Sequence, residues 1–365
     1  MSSPKKHPPQ RPAWKQLLAD SFTSPQELTP YFDLDGAALQ KVAARYPMRI
    51  NPYYFSLIKG PGDPLFKQAV PDMREINDPA GEEDPLREEE LSPCPGLTHK
   101  YPDRVLLLVS DQCAMYCRFC NRKRKVGRPG LVDQKTIREG LAYIRGHKEI
   151  RDVLLSGGDP LLLSDQELHA LLGELRAMPH VAVLRIGSRV PCTLPQRITP
   201  GLVRVLKAFQ PLYLNTQFNH PSEITPQAAA ACSRLADAGL GLGCQTVLLK
   251  GINDDPPVMR ALMEKLLEIR VRPYYLFQAD LARGTAHFWT PVATGLKIMR
   301  RLQGHLSGLC LPHYVIDLPG GGGKVPLLPH YMRQTEKGAI KFVNYLGREY
   351  DYPAELLEGI GEEGL

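Results

Sequence analysis

The sequence predicts an α/β fold: an incomplete (β/α)6 barrel of parallel strands with helices outside. Two observations predict it. Apolar runs of strand length recur at 104–110, 152–156, 181–187, 212–217, 243–249 and 272–277. Each is followed by a longer stretch with a readable helix start. Strands alternating with helices at this spacing form a parallel sheet, and six units fall short of the eight that close a barrel.

Residues 1–98 read as an N-terminal extension. The first twelve are polar and proline-rich, a composition expected to be disordered. From Trp14 to Ile58 the apolar spacing predicts short helices punctuated by Pro30, Pro47 and Pro52. Residues 60–96 are rich in proline and acid and read as an irregular connector. The barrel occupies 99–318. Asp133 is placed to cap its first helix, and Ser164 with Glu167 forms a capping box for the second. Thr199-Pro200, Asp255-Pro256 and Thr290-Pro291 each set a capping side chain before a proline at the first helical position. Residues 319–365 form a C-terminal segment.

Composition narrows the function classes. A hydrophobic fraction of 43% with 23% charged residues is ordinary for a soluble chain. No apolar run approaches a membrane span and no N-terminal stretch resembles a signal peptide, so a cytoplasmic location with reduced thiols is expected. The net charge of +6 invites a nucleic-acid reading, best supported by Arg122-Lys123-Arg124-Lys125. A basic cluster beside a metal loop can equally take a carboxylate or a phosphate, and no aromatic-interleaved stripe accompanies it. Neither a nucleic acid nor a membrane is expected as a partner.

Chemistry concentrates in two places. The first is C-x3-C-x2-C at Cys113, Cys117 and Cys120, just past the first strand. Three thiolates can hold a 4Fe–4S cluster and leave one iron without a protein ligand, and an open position is where a metal reacts. Zinc would want a fourth Cys or His nearby, and none follows at finger or ribbon spacing. The other cysteines (94, 192, 232, 244 and 310) stand singly and read as core thiols. The second is the run Asp317-Leu318-Pro319-Gly320-Gly321-Gly322-Gly323-Lys324. A phosphate-binding P-loop fails here, because Leu318 stands where glycine is needed and Val325 where Ser or Thr is needed. A plain glycine hinge is the bland alternative. A lysine that forms a Schiff base with pyridoxal phosphate (PLP) must move when substrate displaces it, and flanking glycines allow that. Lys100 and Arg104 would supply cations for the PLP phosphate.

Three such cysteines after a first strand resemble the radical S-adenosylmethionine (SAM) superfamily. Combined with the glycine-lysine run they resemble the lysine 2,3-aminomutase family closely. The likeness extends through Tyr101-Pro102-Asp103-Arg104, Ser156-Gly157-Gly158-Asp159-Pro160-Leu161, Phe218-Asn219-His220-Pro221 and Arg300-Arg301-Leu302-Gln303-Gly304-His305.

That resemblance implies a set of roles. The 4Fe–4S cluster reduces SAM to a 5′-deoxyadenosyl radical, and the α-amino group of a PLP-bound amino acid migrates to the β-carbon. Lys324 is then the Schiff-base lysine. Ser156, Gly157, Gly158, Asp159 and Gln245 lie near SAM. Arg122 binds the substrate carboxylate, and Asp280 and Asp317 hold a distal ammonium. Paired aspartates favour lysine over glutamate as substrate. Arginine, or a lysine side chain on an elongation factor, are the rival substrates, and a non-catalytic iron–sulfur nucleic-acid-binding protein is the rival class. An electron donor such as flavodoxin or ferredoxin is implied. Departures stand beside these roles. Asp255 replaces a zinc-binding cysteine, and no cysteine follows Lys324, so a homo-oligomer would lack the family's interface zinc. Gln217 and Phe119 each replace a usual histidine.

Overall fold

The computed structural model describes residues 13–335, 340–353, 356 and 357; the segment expected to be disordered, 1–12, lies outside them. A nine-stranded sheet runs in chain order: β1 (Leu97–Tyr101), β2 (Arg104–Ser110), β3 (Asp152–Gly157), β4 (Val183–Gly187), β5 (Leu212–Thr216), β6 (Gly241–Leu248), β7 (Arg272–Gln278), β8 (His313–Leu318) and β9 (Gly323–Pro326). Strands β2 to β8 are parallel, and β1 and β9 pair antiparallel at the two edges. The six expected strands are β2 to β7. The strand-like run before the glycines becomes β8, a seventh parallel strand that follows the sixth helix.

Alternation along each strand sorts side chains between two environments. Val105, Leu107, Val153, Leu155, Leu184 and Ile186 are buried in the core beneath the helices. Their neighbours Leu106, Leu154, Ser156 and Arg185 face a central cavity. Inward positions that are polar or small leave this interior unfilled, and the sheet edges do not pair with each other. The barrel is incomplete.

The helix starts mostly follow their caps. Asp133 accepts from Thr136 N at 2.7 Å, the Ser164–Glu167 box is formed, and Thr199 accepts from Leu202 N. Thr225, which sequence reading passed over, caps the helix Pro226–Asp237 in the same way. Two expected caps differ. Asp255 makes no side-chain cap bond. The last barrel helix starts one residue late, at Val292 with Pro291 as its cap, and so strands the buried hydroxyl of Thr290.

The N-terminal extension contributes helices Ala13–Ala19, Gly36–Arg45, Pro52–Phe55 and Pro64–Ala69. The connector at 60–96 is tied to the barrel by paired backbone bonds, Glu82 N to Leu281 O and Arg283 N to Glu82 O. After β9 a small antiparallel sheet follows: β10 (Met332–Gln334), β11 (Ile340–Val343) and β12 (Glu349–Tyr350). Among the described residues no helix is long and apolar enough to cross a membrane.

Candidate active site

A cavity of about 690 Å³ opens inside the sheet, and every site residue expected from the sequence lines it. That volume is typical of a small-molecule site. Most of its polar groups come from the C-terminal ends of the parallel strands, where side chains from neighbouring strands converge.

The loop after β2 carries Cys113, Cys117 and Cys120. It is pinned against the turn after β3: Gly158 N donates to Ser110 O at 2.6 Å and Asp159 N to Gln112 O at 2.7 Å. Glycine is required for this approach. A Cβ at Gly157 would sit 2.2 Å from Ser110 O, and one at Gly158 2.3 Å from Gln112 O. All three cysteines line the cavity. Burial pushes the Cys113 thiol well up and Cys120 to about 11, and charge on neighbouring cysteines adds to both. Thiolates crowded in this way need a cationic partner. Among the described residues no three Cys, His, Asp or Glu side chains converge on one metal ion. A cluster, which takes one thiolate per iron, does not need them to.

Cations around this loop are paired with acids of the N-terminal segment. Arg122 forks onto Glu88 (Nη2–Oε1 2.6 Å, Nε–Oε1 2.8 Å), while its Nη1 reaches Ser156 Oγ at 3.3 Å. Burial alone would raise the Glu88 carboxyl, but Arg122, Lys125 and Arg124 hold it down at about 2. Glu75, fully buried, binds both Arg118 at 2.5 Å and Lys123 at 2.7 Å. Arg124 binds Asp84 and Glu89. The basic run that invited a nucleic-acid reading is therefore neutralised from within.

Arg189, after β4, was not singled out by the sequence. Its Nη1 donates to Cys117 Sγ at 3.0 Å, and its Nη2 to Glu223 at 2.5 Å and Gln68 at 2.6 Å. Asp159 lines the cavity beside it. Its carboxylate is turned into the protein, accepting from Ser188 Oγ and from the backbone N–H of Leu161, Arg189 and Val190. Nearby, the buried Asn215 Nδ2 and Thr216 Oγ1 line the cavity without a hydrogen-bond partner, and Gln245 lines it from β6. Such orphaned polar atoms suit a polar ligand.

Toward β8 and β9 the lysine end is assembled. Lys324 Nζ contacts Asp317 Oδ2 at 2.6 Å, and Lys100 Nζ contacts Asp317 Oδ1 at 2.9 Å. Burial acts upward on Asp317, but the two lysines outweigh it and hold it below the usual carboxylate range. Gly320, Gly321 and Gly323 take positive φ, so the turn delivering Lys324 is one that side chains oppose. Tyr101 Oη accepts from Lys324 N at 3.1 Å, and the Arg104 guanidinium stacks over the Tyr101 ring. Asp280 is different. Among the described residues its one side-chain hydrogen bond comes from Asn121 Nδ2, at 2.7 Å. Burial, reinforced by Asp317, lifts its carboxyl to about 6 against the pull of Asn121, Lys324 and Arg122.

Comparison with known proteins agrees with this architecture. The radical SAM superfamily model matches residues 107–262, and a lysine-2,3-aminomutase model matches 299–359. An L-lysine 2,3-aminomutase of Acetoanaerobium sticklandii is 49% identical over 93% of this chain and 84% of its own length. One from Clostridium subterminale is 48% identical over 92% of this chain and 82% of its own. A glutamate 2,3-aminomutase of Clostridioides difficile is 46% identical over 87% of this chain and 77% of its own. With its cysteine loop at one end of the cavity and its glycine-borne lysine at the other, the chain belongs to the lysine 2,3-aminomutase family of radical SAM enzymes.

Proposed function

We propose that the protein converts free L-lysine to β-lysine, using a 4Fe–4S cluster, SAM and PLP. The observation that carries this substrate choice is Asp280, a part-buried carboxylate facing the cavity whose one side-chain hydrogen bond among the described residues comes from a neutral amide. A cation there offsets its desolvation, whereas the second carboxylate of glutamate would be repelled. Bound together, the three cofactors supply one-electron reduction, hydrogen abstraction and an electron sink for the migrating nitrogen.

The protein's own groups do the positioning. Cys113, Cys117 and Cys120 would hold three irons. Gly157 and Gly158 bring backbone close to the cluster loop, and Ser156, Gln245 and the orphaned Asn215 and Thr216 offer polar contacts to SAM. Lys324 would carry PLP, with Lys100 and Arg104 near enough to serve its phosphate. Asp317 offers a resting place for the lysine ammonium when substrate displaces it. Arg122, with one edge held by Glu88, turns the other toward Ser156 and the cavity, where a substrate carboxylate fits its fork.

An anaerobic assay of reconstituted enzyme against lysine, arginine and glutamate, with products identified by NMR, tests the reading. Lysine is expected to turn over fastest. Preference for glutamate would overturn the role of Asp280, and turnover of only a protein-borne lysine would overturn the free amino acid.

A further inference from the structure

We propose that Arg189 is a positioning residue for electron transfer: its hydrogen bond to Cys117 Sγ raises the reduction potential of the cluster. This rests on the three cysteines being the cluster ligands.

Arg189 is the one guanidinium in hydrogen-bonding contact with a cluster-loop sulfur among the described residues, at 3.0 Å. It is 8% exposed, so its charge is screened little by water. Its aim is over-determined. Asp159 grips its backbone N–H at 2.8 Å, and Glu223 and Gln68 share Nη2. Nε faces Gln217 O, and the Phe119 ring lies under the guanidinium. Glu223 is in turn fixed by Tyr54 Oη at 2.8 Å and by the N–H of Asn219 at 2.6 Å. Two of these partners also cap short 3-10 turns, Asp159 at Pro160–Leu162 and Glu223 at Pro221–Glu223, and all of them hold the arginine. Together they leave Nη1 one direction, toward Cys117.

The consequence has a definite sign. A low-potential one-electron donor adds one electron to the cluster, making it more negative. A charged N–H on a cluster sulfur stabilises that reduced state more than the oxidised one, and so raises the potential. No proton moves, because a guanidinium keeps its charge throughout. The sulfurs are treated unequally: among the described residues Cys120 Sγ accepts only the backbone N–H of Arg122, at 3.3 Å. The arrangement also gives Asp159 a use in the glycine-rich segment, as the holder of Arg189.

The test uses the full-length protein with reconstituted cluster, measuring iron and sulfide content and a spectroelectrochemical midpoint without SAM. Arg189→Met paired with Glu223→Gln removes the donor without stranding a buried carboxylate. Arg189→Lys keeps the charge opposite Glu223 but is too short to serve Cys117 as well. With wild-type iron content, both are expected to show a midpoint shifted to more negative values, while Glu223→Gln alone shows none in that direction. An unchanged midpoint overturns the proposal. So does cluster loss in both variants, which would make Arg189 purely structural, and so does a shift seen only with SAM bound, which would assign it to SAM. Failure of the wild type to bind four irons would instead sink the cluster itself.

Discussion

The two ends of the cavity are built on opposite principles. At the cluster end Arg189, Arg118 and Lys123 are buried in ion pairs with Glu223 and Glu75, carboxylates sealed from solvent. Removing one partner from such a pair leaves an uncompensated buried charge, at a cost of about 3–5 kcal/mol. At the lysine end Lys324 is part-exposed, rides on a glycine turn, and shares one aspartate with Lys100. Its contacts are ones a ligand can replace. On the proposed reading the cluster end would hold a reagent still, whereas the lysine end would exchange partners each time substrate arrives.

Two substitutions separate these ends most sharply. Cys117→Ala is expected to abolish SAM cleavage, read as loss of 5′-deoxyadenosine, while lysine-bound PLP absorbance persists. Lys324→Ala is expected to reverse the pattern, with normal iron content but no stable PLP attachment. Each should lower turnover by roughly 10³-fold or more, as loss of a group acting within a catalytic unit does. Retained turnover in the cysteine variant would break the division of labour.

How much of this could be read from sequence depends on distance along the chain. The cysteine loop and the glycine-lysine run declare themselves because their distinctive residues sit within a few positions of one another. The strands were legible because an unbroken apolar run is a local signal, as at 105–109. The counter-charges were not. Glu88 meets Arg122 across 34 positions, and Gln68 meets Arg189 across 121. The acid-rich connector at 60–96 therefore reads as irregular linker, although it partners the active-site cations. A signal was present in hindsight: its run of acids complements the basic run at 122–125 in sign. Arg189 had no such signal, since a lone arginine after a strand is indistinguishable from a surface one. Thr290 misled for a smaller reason, a helix that starts one residue late.

Next in expected size is Asp280→Asn. The Asp280 carboxyl lies at about 6, raised by burial, so it is charged above that pH and neutral below it. The side-chain ammonium of lysine stays protonated throughout that range. In the wild type kcat/KM for lysine should hold steady above about pH 7 and fall as pH drops through 6. The variant should lose roughly 10²- to 10³-fold at pH 8, on the scale of a broken buried pair, and lose the inflection too. Stability should move the other way. A carboxyl raised above its unfolded value disfavours the folded state at neutral pH, and this is relieved as pH falls. Asp280→Asn should thus unfold no earlier than wild type in a thermal melt. A flat wild-type pH profile would remove Asp280 from ammonium binding.

Glu88→Gln is the smallest and the most discriminating. Arg122 uses Nε and Nη2 on Glu88 and presents Nη1 toward Ser156. If Glu88 fixes the direction of that free edge, the amide should loosen it by the value of a charged hydrogen bond, about 1.5–3 kcal/mol. KM for lysine should then rise roughly tenfold or more with little change in kcat, because the interaction acts on binding rather than on the reacting bond. Glu88 also sits where a substrate carboxylate would approach, so the opposite sign is physically available. Were it a competitor for Arg122, its removal would lower KM. Measured KM at saturating SAM decides between a holder and a rival. A fall would move Glu88 from the rigid end of the cavity to the exchanging one.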